Sequence, residues 1–92
     1  MTKVIITAEV EDAAKWEKGF RSHAELFRSM TIQNSIELTT NDKNEVCLCA
    51  EPADLDKYLE ILNSPVTADA MAHDGVKPET VKVFVLEKEM NV

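Results

Sequence analysis

The sequence predicts an α+β domain in which two β-α-β halves share one antiparallel sheet with the helices on one face. Three observations carry this. Strand-type and helix-type apolar periodicities alternate along the chain, a short polar turn joins two of the strands, and the first half echoes the second at a fixed offset of 42 positions (50 − 8). The 92 residues make one domain spanning 1–92. A chain of this length buries only about 60–65% of its unfolded surface, so its core is thin.

Lys3–Val10 is β-branched and apolar and reads as a strand. Glu11 and Asp12 put acid where a helix begins, with Asp12 as its N-cap. Apolar groups then recur at Ala13, Trp16, Phe20, Phe27 and Met30. The steps of three, four and seven predict one helix over 13–30, with His23 filling the gap in its stripe. Ile32–Thr39 alternates as a strand, with Ile32, Asn34, Ile36 and Leu38 on one face. Asn41-Asp42-Lys43-Asn44 is turn chemistry, and Glu45–Glu51 alternates again, so the two strands form an antiparallel hairpin.

Pro52 stops that strand, and Asp54 caps a helix over Leu55–Leu62. Ser64-Pro65 reads as an N-cap followed by a first-turn proline, opening a short third helix that runs to about Asp74. Gly75 is its left-handed stop, Pro78 bends the connection, and Val81–Glu87 is the last strand. The echo ties these elements together. Ala8-Glu9, Asp12, Lys15-Trp16 and Phe20 correspond to Ala50-Glu51, Asp54, Lys57-Tyr58 and Leu62. A strand end, a helix cap and a helix core face recur as a set, which is a ferredoxin-like β-α-β-β-α-α-β order.

Alternation divides the strand residues between two faces. Val4, Ile6, Ala8, Val10, Ile32, Ile36, Leu38, Val46, Leu48, Val81, Val83 and Val85 form a face that is apolar except for Asn34 and should carry the helices. The other face collects Ile5, Thr7, Glu9, Ser35, Glu37, Cys47, Cys49, Lys82, Phe84 and Leu86. In a monomer that second face meets water. Ile5, Cys47, Cys49, Phe84 and Leu86 on it predict a covered surface, with a second copy of the chain as the cover.

The formal net charge of −7, with Lys and Arg scattered among acids, excludes a nucleic-acid stripe and disfavours an anionic membrane surface. No run of residues approaches a membrane span, and the short apolar run after Lys3 lacks signal-peptide form. A cytoplasmic location with reduced cysteines is the expectation.

Val10, Asp12, Trp16, Phe20 and His23, with Asn63-Ser64-Pro65 and Gly75-Val76, resemble small bacterial members of the dimeric α+β-barrel superfamily. These are antibiotic-biosynthesis-monooxygenase-like proteins, and the resemblance spans nearly the whole chain. It departs where the first helix ends, since Ser29-Met30-Thr31 stands in place of a glycine stop. The resemblance implies a homodimer whose sheets close into a barrel with the helices outside. It also implies a pocket between helices and sheet, of the kind used by cofactor-free monooxygenases and isomerases or by haem-binding relatives.

His23 and Asn34 are the candidate catalytic residues. Each is a polar group on an otherwise apolar, core-facing layer, and together they could mark one polar spot in a ligand cleft. Trp16, Phe20, Phe27, Tyr58 and Met71 could wall that cleft for a small apolar ligand, although helical spacing favours core packing. Cys47 and Cys49 read as small hydrophobes rather than half a zinc site. His73 has the dipole of its helix to explain it, and with Asp69 and Asp74 it makes no metal motif. With only Gly19 and Gly75 there is no glycine-rich phosphate loop, and no HExxH pattern occurs. No cofactor and no metal are expected. The functional expectation is therefore a small-molecule binder or cofactor-free enzyme built around His23. The alternative is a non-catalytic dimeric module in which His23 is purely structural. A cavity touching His23 separates the two.

Overall fold

A computed structural model describes residues 2–92. The elements run β1 (Val4–Glu9), α1 (Ala13–Arg21), α2 (Ala24–Ser29), β2 (Glu37–Thr40), β3 (Glu45–Ala50), α3 (Leu55–Leu62), α4 (Pro65–His73), a 3-10 turn at Pro78–Thr80, and β4 (Lys82–Val85). The sheet order is β2-β3-β1-β4 and every pairing is antiparallel. Hence β1 and β2 run parallel with β3 between them, and β3 and β4 run parallel with β1 between them. These are the two split β-α-β units of the ferredoxin-like fold.

Register confirms the two faces. Ile6 pairs with Leu48 and Val83, whereas Ile5 pairs with Cys49 and Phe84, and Thr7 with Cys47 and Lys82. Val4, Ile6, Ala8, Val10, Ile32, Val46 and Ala50 are buried under the helices, against Trp16, Met30 and Tyr58. Val83 is an exception: it lies on the helix side, but at the edge of the sheet the helices do not cover it and it is exposed. On the open face Phe84 and Leu86 are 52% and 47% exposed.

Both halves open their helices in the same way. Asp12 accepts a hydrogen bond from the Lys15 amide and Asp54 from the Lys57 amide, each at 3.1 Å. Each satisfies one of the amides a helix start leaves unpaired. Asn44, in the left-handed region at φ 57°, accepts from Val10 N through its carbonyl and from Ala13 N through its side chain. The β2–β3 turn thereby fixes where β1 hands over to α1.

The single helix expected over 13–30 is two helices. The Ser22 hydroxyl donates to the Gly19 carbonyl at 2.5 Å, the Ser22 amide donates to the same oxygen, and the His23 amide donates to Phe20 O. These tight bonds three residues back end α1, where Gly19 already weakens it. α2 restarts with Phe27 N donating to His23 O. It leaves through Thr31 at φ 68°, the conformation a glycine would supply and one that is costly for a β-branched residue. Thr31 is held there by α3, because its hydroxyl accepts from Asp54 N and its carbonyl from Ala53 N, both at 3.0 Å.

The strand expected over 32–39 begins only at Glu37. Ile32 forms an isolated bridge with Pro52. Proline offers no N–H, so the ladder cannot continue there. Residues 33–35 are exposed and irregular, and Asn34 lies on the surface in a shallow depression with Arg21 and Arg28. The expected pairing of Asn34 with His23 under the helices is therefore corrected. The last strand is also shorter than Val81–Glu87, although Leu86 N still donates to Lys3 O at 2.9 Å.

Candidate functional site

Between the helices and the sheet lies a cavity of about 70 Å³ whose walls are almost wholly apolar. Of the residues the sequence nominates, Trp16, Phe20, His23, Phe27, Tyr58 and Met71 all line it, and Asn34 does not. Trp16 and Phe20 stack with ring centres 4.8 Å apart, and Phe20 and Phe27 follow at 4.6 Å. The result is a continuous aromatic wall along α1 and α2. His23 stands edge-on to Phe27 at 6.5 Å.

The break between α1 and α2 sets His23 at the junction, and its partner comes from the far end of the chain. His23 Nε2 lies 2.9 Å from Asp74 Oδ2. His73 Nδ1 lies 2.9 Å from Asp74 Oδ1. The Asp74 side chain is 4% exposed, His23 22% and His73 75%, so the row runs from the cavity wall through a buried carboxylate to the surface. With Asp74 ionised, each facing nitrogen carries a proton and donates. His23 Nδ1, which has no protein partner among the described residues, is left as an acceptor.

Local chain chemistry puts Asp74 there. α4 ends in a Schellman arrangement: Gly75 N donates to Ala72 O and Val76 N to Met71 O, with Gly75 at φ 77°. Val76 then bridges to Val10, and Glu11 N donates to Gly75 O. Both contacts pin the end of α4 beside the start of α1. Gly19 makes the room, since a methyl group at its Cα would overlap the Asp74 carboxylate.

Tyr58 is buried on α3 and lines the cavity. Its hydroxyl has no hydrogen-bond partner among the described residues. Burial, with the nearby Cys49 as a lesser cause, pushes its pKa up to about 12. Thr67 is also buried, and its hydroxyl is committed to Ile61 O at 2.6 Å. Cys47 and Cys49 are free and lie on the open sheet face, away from the cavity.

Asp74 and His73 belong to the site although the sequence pattern explained His73 by its helix dipole and gave Asp74 no role. A signal existed: an acid in the last turn of a helix opposes the helix dipole, so it calls for another explanation.

The fold and site define a ferredoxin-like domain with an apolar pocket under its helices. No family model matches the chain, and no curated protein matches it in sequence. Solved structures do match. An antibiotic biosynthesis monooxygenase superposes with a TM-score of 0.67 at 14% identity, over 98% of this chain and 100% of that one. SnoaB, a cofactor-independent oxygenase from Streptomyces nogalater, gives 0.70 at 16% identity, over 99% and 95%. A protein of the EthD family from Bacillus halodurans gives 0.61 at 15% identity, over 97% and 99%. The fold is that of these antibiotic-biosynthesis-monooxygenase-like structures. Among the described residues no helix is long and apolar enough to cross a membrane.

Two outcomes follow from the site geometry. Gly19→Ala should lower stability by about 1–3 kcal/mol, although alanine is the better helix former, because the added methyl displaces Asp74. Urea denaturation checks this, and an unchanged or raised midpoint would contradict the packing. Burial raises the Tyr58 pKa from its ordinary 10.0 to about 12 in the folded protein. An acid whose folded pKa is raised stabilises the fold below its unfolded pKa and loses that contribution as pH rises toward the folded one. Stability should therefore fall by about 1–2 kcal/mol as pH rises from 10 to 12, a fall that Tyr58→Phe should flatten.

Proposed function

We propose that the protein binds a small, largely apolar, ring-sized molecule in the helix–sheet cavity and moves a proton to or from it at His23. The observation that carries this is one partly exposed imidazole set in an otherwise apolar, aromatic-walled cavity and backed by a buried carboxylate. An apolar pocket with a single oriented polar group is how a site holds a hydrophobic ligand and fixes its direction. Asp74 holds the imidazole by Nε2, which orients the ring and stabilises the imidazolium once Nδ1 has taken a proton. A carbanion or phenolate made this way is electron-rich enough to react with O2 or to take the proton back at another carbon. Both are routes open to a cofactor-free oxygenase or isomerase. The oxygenase among the proteins of this fold supports the first. The cavity beside His23 favours this reading over a purely structural histidine, and Tyr58 supplies a second polar group on the wall.

The protein acts as a homodimer joined through the open sheet face, in the cytoplasm with both cysteines reduced. Ile5, Cys47, Cys49, Phe84 and Leu86 form the apolar part of that face, while Thr7, Glu9, Glu37, Thr39 and Lys82 make the rest of it polar. A second copy offers the same apolar part, so a two-fold pairing covers apolar surface with apolar surface.

Two measurements test these readings. 4-Nitrophenol, whose phenolate is yellow, should quench Trp16 fluorescence saturably in the wild type and gain phenolate colour on binding. His23→Ala should abolish the gain in colour and weaken binding at an unchanged circular-dichroism spectrum, and the absence of any saturable quench would remove the ligand reading. In sedimentation at micromolar concentration the wild type should be a dimer and Phe84→Glu a monomer, because the variant places a charge in a desolvated interface. A monomeric wild type would overturn the dimer.

A further inference from the structure

We propose that His23, His73 and Asp74 form a binding site for a divalent first-row transition ion of the Zn2+ type at the rim of the cavity. One ligand atom from each of the three lies within 4.8 Å of the others. Both contacts through the carboxylate are already 2.9 Å. Ligand atoms around a tetrahedral ion with bonds near 2.0–2.1 Å stand about 3.3 Å apart, so closing the site opens each 2.9 Å contact slightly and draws the outer ligand atoms in from within 4.8 Å. The rings meet nearly edge to face, 78° apart with centres at 6.1 Å, and turn different nitrogens, Nε2 and Nδ1, to one carboxylate.

Charge points the same way. A buried carboxylate needs a cation, yet no lysine or arginine among the described residues reaches Asp74, whose ionic partners are the two imidazoles alone. A divalent ion supplies that charge. Two imidazole nitrogens and one carboxylate oxygen are a donor set that first-row ions accept while keeping a coordination position open. His23 and Asp74 line the cavity, so that position is reached from the ligand side. The chain's charge of −7 adds a long-range attraction for cations. Two segments build the site at some cost to themselves, since a mid-helix glycine clears the space and a helix C-terminus carries the acid.

The ion site shares His23 and Asp74 with the cavity, but His73 does not line it, so a change at His73 separates the two. The test uses the full chain stripped with a chelator and titrated with Zn2+ alone by calorimetry, with Co2+ absorption as a geometric reporter. The expected result is saturable binding of one Zn2+ per chain and an intense visible Co2+ band. His73→Ala should weaken Zn2+ binding about tenfold or more while leaving the 4-nitrophenol quench of Trp16 intact. Asp74→Asn should do the same to Zn2+. If that buried variant does not fold, the exposed His73→Ala keeps the question decidable. A variant with both Cys47 and Cys49 changed to serine should bind Zn2+ as the wild type does. Three results would each overturn the site: no saturable Zn2+ binding, undiminished affinity in His73→Ala, or Zn2+ binding lost in the cysteine variant. Failure of Zn2+ binding with the quench preserved would leave the ligand reading standing, and the reverse result would leave the ion site standing.

Discussion

The Asp74 carboxylate is the constraint around which the helical layer is arranged. It is buried, so its charge must be met locally, by one imidazole distant in sequence and by that of its own chain neighbour. His23 reaches it from the α1–α2 junction, and His73 from the last turn of α4. A continuous helix over 13–30 would carry position 23 along one straight apolar stripe. The break at Ser22 instead gives His23 its own backbone setting, with φ −97° and ψ 32°, beside the carboxylate. The Schellman end of α4 fixes the other side, and the Val10–Val76 bridge locks that end to the sheet. A change at any of these points reaches the carboxylate, and through it the one imidazole on the cavity wall.

The same sheet serves two purposes because its period is two. Along β1, Val4, Ile6 and Ala8 go under the helices, while Ile5 and Thr7 face the other way. A small domain that packs helices on one side only cannot bury both sets. The aromatic groups of α1 and α2 do not fill the space above the sheet completely, and the cavity is what they leave. The half-apolar outer face is the counterpart of that thin core.

Much of this was legible in the sequence, because it rests on local periodicity. Strand alternation gave the strand order's raw material and both faces, and the two aspartate caps and the limits of α3 fell where the pattern put them. The cavity wall was legible as well, since a helical stripe of Trp16, Phe20 and Phe27 has one inward side. Asn34 was not. Its phase was inferred by continuing an alternation back to Ile32, and a strand holds its phase only while its ladder is paired. The bridge at Pro52 ends the pairing, so Asn34 turns outward while Ile36 and Leu38 keep their inward packing.

The broken helix shows how far the internal echo could have been carried. Shifted by 42 positions, Ser22 falls on Ser64 and Gly19 on Ile61. The Ser22 hydroxyl donates to Gly19 O, and the Ser64 hydroxyl donates to Ile61 O. Both halves therefore end their first helix with a serine that takes the carbonyl three residues back, and both start a second helix straight after it. Pro65 announces the event in the second half, and position 23 holds a histidine where that proline would fall. The two halves thus share a break and use it differently: one restarts its helix with proline, the other places an imidazole over the cavity. Two residues that offend local rules complete the reading. A glycine inside α1 costs about 1 kcal/mol against alanine, and an acid at the end of α4 opposes the helix dipole by a few tenths to about 1 kcal/mol. Separately they look like noise. Together they are one feature, since Gly19 leaves the space that the Asp74 carboxylate occupies.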